Sequence, residues 1–173
     1  MKNKTLPFSV IIFFGIIFLI FFKGLKDTKI YTPNLNTKKE VPSFNTKGFF
    51  SGKNVKSSGI FKLDKIYLLN IWSSWCVPCR QEHSVLMNLS KKTDLNIVGL
   101  NYKDKKNNAI KFLKELGNPF SKILIDPDGI ISISLGAYGV PETFLLNNKS
   151  KIIKKYIGPL TENNISEIIK IIK

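Results

Sequence analysis

Ile66-Tyr67-Leu68-Leu69-Asn70-Ile71-Trp72-Ser73-Ser74-Trp75-Cys76-Val77-Pro78-Cys79-Arg80 is the stretch that decides the fold. Its first seven residues form a nearly continuous apolar run, the pattern of a strand buried on both faces. Its end holds both cysteines of the protein, two residues apart, where the strand gives way to a helix beginning near Val77. Two thiols so spaced at such a junction read as a redox dithiol. With Cys76 at the N-cap, the unpaired N–H groups of the first turn and the positive end of the helix dipole face its sulfur and favour thiolate. A free cysteine titrates near ~8.5, whereas Cys-X-X-Cys settings reach about 3.5 to 7.5, so Cys76 is the expected nucleophile. Cys79, one turn further on and facing inward, is expected to resolve a mixed disulfide on Cys76. Pro78 lies early in the helix, where it removes an N–H that would be unpaired anyway. A purely structural bridge would close too small a loop to brace a fold. Zinc would need ligands that a chain with no other cysteine and His83 as its one histidine does not readily supply.

The length of 173 residues accommodates a membrane segment, a linker and one domain of roughly 130 residues. The formal charge is +15; over residues 1–40, seven lysines against Asp27 and Glu40 give +5, and the remaining +10 is scattered over residues 41–173. No basic stripe interleaved with aromatics and no nucleic-acid motif accompanies it, so the excess reads as a solvated lysine-rich surface. Residues 1–5 form a short tail. Leu6 to Phe22 is an uncharged run of 17 residues bracketed by Lys4 and Lys23, at the short end of the range for a transmembrane helix. No small-x-small cleavage site follows it, which favours an uncleaved anchor over a removed signal peptide. Lysines flank both ends, so charge alone does not orient the span. Residues 23–40, rich in Lys, Thr and Asn, read as a linker, and residues 41–173 as the domain.

Within that domain, short apolar runs broken by Gly48, Gly52 and Gly59 suggest a β-hairpin over 41–63. The apolar patterns then predict a strand over 66–72, a helix over 77–92, a strand over 95–101, a helix over 107–116 ended by Gly117, and a strand over 122–125 running into the turn at 126–129. Strands near 143–146 and 151–157 follow, and Thr161 caps a helix to about residue 172. Strands alternating with helices, closed by a hairpin and a helix, make an α/β fold.

Three blocks carry a more specific signal: Leu68 to His83, then Gly99-Leu100-Asn101-Tyr102-Lys103-Asp104, then Leu135-Gly136-Ala137-Tyr138-Gly139-Val140-Pro141-Glu142-Thr143-Phe144. In this order they resemble the membrane-anchored CcmG/DsbE thiol:disulfide interchange proteins of cytochrome c biogenesis, within the thioredoxin superfamily. The resemblance implies a thioredoxin-like fold with an N-terminal β-hairpin extension behind one transmembrane helix, and a Val140-Pro141 cis-proline loop beside the dithiol. It implies a protein-disulfide reductase, without cofactor or metal, that keeps the haem-binding cysteines of apocytochrome c reduced. The partners implied are apocytochrome c or its thiol-handling maturation partner and a DsbD/CcdA-type membrane electron donor. The place implied is the bacterial inner membrane, single-pass, with the C-terminal domain in the periplasm.

Asn70 stands where thioredoxin carries a buried aspartate beneath the dithiol, so Glu82 and Glu142 are the candidate proton acceptors. Both are expected to approach the dithiol, where a carboxylate opposes thiolate formation. Trp75, Pro78, Glu82, Val140, Pro141 and Glu142 thus support Cys76 and Cys79. His83 is expected to be an ordinary helix-surface residue. Two other readings stay open: a general TlpA/ResA-like extracytoplasmic reductase with other substrates, such as the thiols of a copper-site protein, and a non-catalytic peptide-binding module.

Overall fold

The computed structural model describes residues 5–26 and 39–172, which belong to two units, residues 1–34 and 35–173. The first contains helix α1 (Thr5–Lys26). Pro7 falls in its first turn, where a missing N–H breaks no intrahelical bond. Among the described residues no helix is long and apolar enough to cross a membrane. The side chains of α1 are described from residue 9 to residue 24. Within that part most large apolar side chains, Phe13, Phe14, Phe18 and Phe21 among them, are exposed. Residues 1–4 and most of the expected linker, 27–38, lie outside the described residues.

The second unit runs β1 (Lys39–Glu40), β2 (Asn45–Lys47), β3 (Asn54–Lys56), α2 (Ser57–Ile60), β4 (Tyr67–Trp72), α3 (Val77–Lys92), β5 (Asn96–Tyr102), α4 (Lys106–Leu116), β6 (Lys122–Asp126), α5 (Ile130–Ser134), β7 (Glu142–Leu146), β8 (Lys151–Ile157) and α6 (Glu162–Ile172). A mixed sheet has the order β1-β8-β7-β4-β5-β6, with β4, β5 and β6 parallel and β7, β8 and β1 antiparallel to their neighbours. The expected hairpin is β2–β3. Its turn reaches the outer edge of β6, where the Phe49 N–H donates to the Ile123 carbonyl at 2.8 Å. Strand β1 begins the sheet inside the stretch expected to be linker. Helices α2 and α5, at four and five residues, are too short to show a helical period and went unmarked in the sequence.

Alternation along each strand sorts the core into two layers. Leu68 and Trp72 of β4 and Leu145 of β7 pack with Leu86 and Leu89 of α3, Phe112 of α4 and Ile168 of α6. Leu69 and Ile71 of β4 and Phe144 of β7 pack on the opposite face with Phe61, Ile131 and Leu135. Every residue of β4 is buried, as its unbroken apolar run requires. The α6 cap is as expected, with Thr161 Oγ1 accepting from the Asn164 N–H at 3.4 Å.

Trp72 stacks on Phe120, with ring centres 5.4 Å apart, and lies against Phe112 at 5.2 Å. The room for its indole comes from Gly99, where a Cβ would stand 2.8 Å from Trp72 Nε1 and 2.9 Å from the Phe120 ring. Gly99→Ala should therefore lower stability by about 1–3 kcal/mol through overpacking, read as a drop in urea midpoint with an unchanged m-value.

Candidate active site

Cys76 takes the N-cap of α3 with extended φ and ψ of −85° and 109°, and its Sγ accepts from the Cys79 N–H at 3.1 Å. The first-turn amide thus points at this sulfur, the arrangement the sequence predicts. Cys76 and Cys79 are joined as a disulfide and both are buried. Pro78 occupies the second helical position and is exposed. Trp75 and Val77, at 56% and 67% exposure, form an apolar rim around the dithiol.

Glu82 lies one turn beyond Cys79 on the same helical face and is 1% exposed. Its Oε1 accepts from Asn70 Nδ2 at 2.9 Å and its Oε2 from the Leu160 N–H at 2.7 Å. Asn70 Nδ2 also donates to Thr143 Oγ1 at 2.9 Å. Burial pushes the Glu82 carboxyl up to about 7, against the opposing pull of these two donors. Asn70 thus holds the carboxyl of Glu82, one of the two candidate proton acceptors, inside the domain.

Glu142 is placed otherwise. It follows the sheet alternation onto the face of Phe144, opposite to the face on which Asn70 and Thr143 meet Glu82. Its Oε1 accepts from the N–H groups of Tyr138 and Gly139 at 2.7 and 3.2 Å, and its Oε2 lies 2.7 Å from Lys155 Nζ, a charge contact outside hydrogen-bonding angles. The expectation that both glutamates approach the dithiol is corrected: position 142 is one residue out of phase with Thr143. Its carboxylate ties down the loop before the Val140-Pro141 bond, which is cis. The pairing of Ile71 with Glu142 sets Pro141 beside Trp72 at the dithiol end of the sheet, and Val140 packs against the layer that contains both cysteines.

His83 is also corrected. It is 3% exposed, donates from Nε2 to the Gly117 carbonyl at 2.9 Å, and meets the Phe112 ring edge-on at 4.9 Å. Burial holds its pKa below the ordinary imidazole value, and neighbouring Arg80 adds to this. It fastens α3 to the end of α4.

Asp104 escaped the sequence reading. Its carboxylate accepts from Ser74 N–H at 2.6 Å, Ser74 Oγ at 2.7 Å and Asn101 Nδ2 at 3.0 Å. Trp75 Nε1 donates to the Lys103 carbonyl at 3.0 Å. The segment after β5 therefore brackets the two residues before Cys76. Its only sequence signal was the Asn101 to Asp104 block, which identifies a motif without saying what it holds.

A Redoxin family model matches residues 36–172. The chain belongs to the redoxin family. Among redoxins it is similar to the thiol:disulfide interchange protein DsbE of Escherichia coli K12, 36% identical over 98% of this chain and 94% of that protein. It is 48% identical to the thiol:disulfide interchange protein CycY of Rhizobium leguminosarum over 60% of this chain and 55% of that one. A solved DsbF homologue from Corynebacterium diphtheriae superposes with a TM-score of 0.66 at 26% identity, covering 82% of this chain and 90% of the other. This redoxin domain is a thioredoxin-like thiol:disulfide oxidoreductase.

Folding raises the Glu82 pKa from 4.5 to about 7, so the folded domain binds this proton more tightly than the unfolded chain. That contribution is complete below pH 4.5 and is lost as the pH rises through about 7, a change of roughly 3 kcal/mol. Urea unfolding from pH 4 to 8 should show wild-type stability falling by this order relative to Glu82→Gln. Parallel profiles would mean that Glu82 does not titrate as a buried acid.

Proposed function

We propose that this redoxin is a membrane-anchored, extracytoplasmic protein-disulfide reductase acting on the haem-binding cysteines of apocytochrome c during cytochrome c maturation. The observation that carries the chemistry is the capped dithiol above a buried carboxyl whose pKa lies near neutrality. The resemblance to CcmG/DsbE proteins supplies the substrate. In the reduced state the Cys76 thiolate attacks one sulfur of the substrate disulfide and expels the other as thiolate, giving a mixed disulfide. Cys79 then loses its proton to Glu82 and attacks Cys76 Sγ. The second substrate thiol leaves, and both electrons have passed to the substrate. The product is the Cys76–Cys79 disulfide, which a DsbD/CcdA-type membrane thiol carrier reduces again.

Leu6 to Phe22 serves as the anchor, inserted as α1 in the inner membrane with the catalytic domain in the periplasm. Its support is the uncharged 17-residue sequence, the helical backbone from Thr5 to Lys26, and the missing cleavage site.

Cys79→Ser should leave Cys76 able to form mixed disulfides that do not resolve, so c-type apocytochromes accumulate covalently on Cys76 and are released by dithiothreitol. Adducts exclusively with other extracytoplasmic proteins would select the general TlpA/ResA-like reductase. Absence of adducts with any polypeptide would overturn the assignment of Cys76 as the attacking thiol. Equal trapping through Cys79 in Cys76→Ser would invert the two roles.

The mature chain should begin within residues 1–5 and stay in the membrane fraction after alkaline carbonate washing, with a C-terminal fusion reporting the periplasmic side. A mature N-terminus inside residues 23–40 would show a removed signal peptide instead.

A further inference from the structure

Lys155 on β8 is nearly as buried as the glutamate it meets, with side-chain exposures of 8% and 2%. A lysine is rarely sequestered unless it is paired. Its Nζ lies 2.7 Å from Glu142 Oε2, donates to the Gly136 carbonyl at 2.7 Å, and sits 4.3 Å from the centre of the Tyr138 ring. Through Glu142 Oε1 the same charge pair reaches the N–H groups of Tyr138 and Gly139. One ammonium thus grips the turn Gly136–Gly139 from three directions, by carbonyl, by carboxylate and by ring face. The turn needs such a grip. Gly136 has φ of +82°, Tyr138 is 65% exposed, and the segment leads straight into Val140 and Pro141 at the dithiol end of the sheet.

We propose that Lys155 is a positioning residue for exchange with polypeptide disulfides: through Glu142 and the Tyr138 ring it fixes the turn that presents Tyr138 and Val140 to an extended substrate chain. It touches neither thiol and takes no part in the electron transfer. Its effect is on docking, because a polypeptide must align along this turn whereas a small disulfide needs to reach Cys76 alone. Glu142 acts with it as one unit: without the ammonium, the carboxylate is left buried with an uncompensated charge.

The test compares two oxidants of the reduced full-length protein, a disulfide-bonded Cys-X-X-Cys peptide and hydroxyethyl disulfide. Using a generic peptide keeps the result independent of which polypeptide is the natural substrate. Lys155→Met should lower kcat/KM for the peptide at least tenfold, mainly through KM, while the hydroxyethyl disulfide rate stays within about twofold. Lys155→Arg should restore most of the peptide rate. The double variant Glu142→Gln with Lys155→Met should lose no more than Lys155→Met alone, since both changes release the same turn. It leaves no charge buried, so it carries the same comparison if the single variant fails to fold. Equal losses with both oxidants, no loss with the peptide, failure of arginine to restore it, or multiplying losses in the double variant would each overturn the assignment.

Discussion

The Glu82 carboxyl, held out of water, is the point on which the catalytic half of the domain is assembled. It joins α3 to β4 through Asn70, to β7 through the Asn70–Thr143 contact, and to the start of α6 through the Leu160 N–H. Moving a carboxyl into an apolar layer is costly unless it is hydrogen-bonded or neutral. Here both reliefs operate, which is why the group sits close to the balance between its two protonation states. A carboxyl poised in this way changes its protonation state near neutral pH at little cost.

Around this fixed point the rim of the dithiol is held by two separate carboxylate clamps. Asp104 secures the residues before Cys76 by accepting hydrogen bonds from the backbone and side chain of Ser74. Glu142 and Lys155 secure the turn before Pro141 on the other face of the sheet. The sulfurs are therefore framed by segments braced against β5 and β8, while Trp75, Val77 and Tyr138 project outward from rigid bases. Exposed apolar side chains on a fixed frame lose little further freedom when a partner covers them.

Much of this was legible in the sequence. The apolar run before Cys76 located the central strand, and the Cys-X-X-Cys spacing gave the N-cap. Asn70 in place of thioredoxin's carboxylate pointed to Glu82 and Glu142 as candidates, and Glu82 is the one bonded to it. The misreadings have definite causes. Glu142 was expected to approach the dithiol because it follows Pro141, a nearness in sequence that says nothing of sheet alternation until the partner strand is known. His83 was read as exposed because its burying partners, Phe112, Phe120 and Gly117, come from an element 29 or more residues away. Lys155 was lost among many lysines, since a buried cation announces itself by its neighbours and not by its type.

The segment from Lys39 to Lys56 closes the domain at both sides. Strand β1 lies on β8 at one edge of the sheet, and the β2–β3 hairpin reaches β6 at the other. Its partners are distant in the chain: Thr46 meets the Ile125 carbonyl across 79 residues, and Lys39 pairs with Ile152. A polypeptide made and delivered from its N-terminus brings this segment out first and its partners last. The β2–β3 hairpin can pair within itself, but β1 and the outer contacts of the hairpin must wait until nearly the whole domain has emerged, so the sheet edges are sealed late and the domain matures as one cooperative unit.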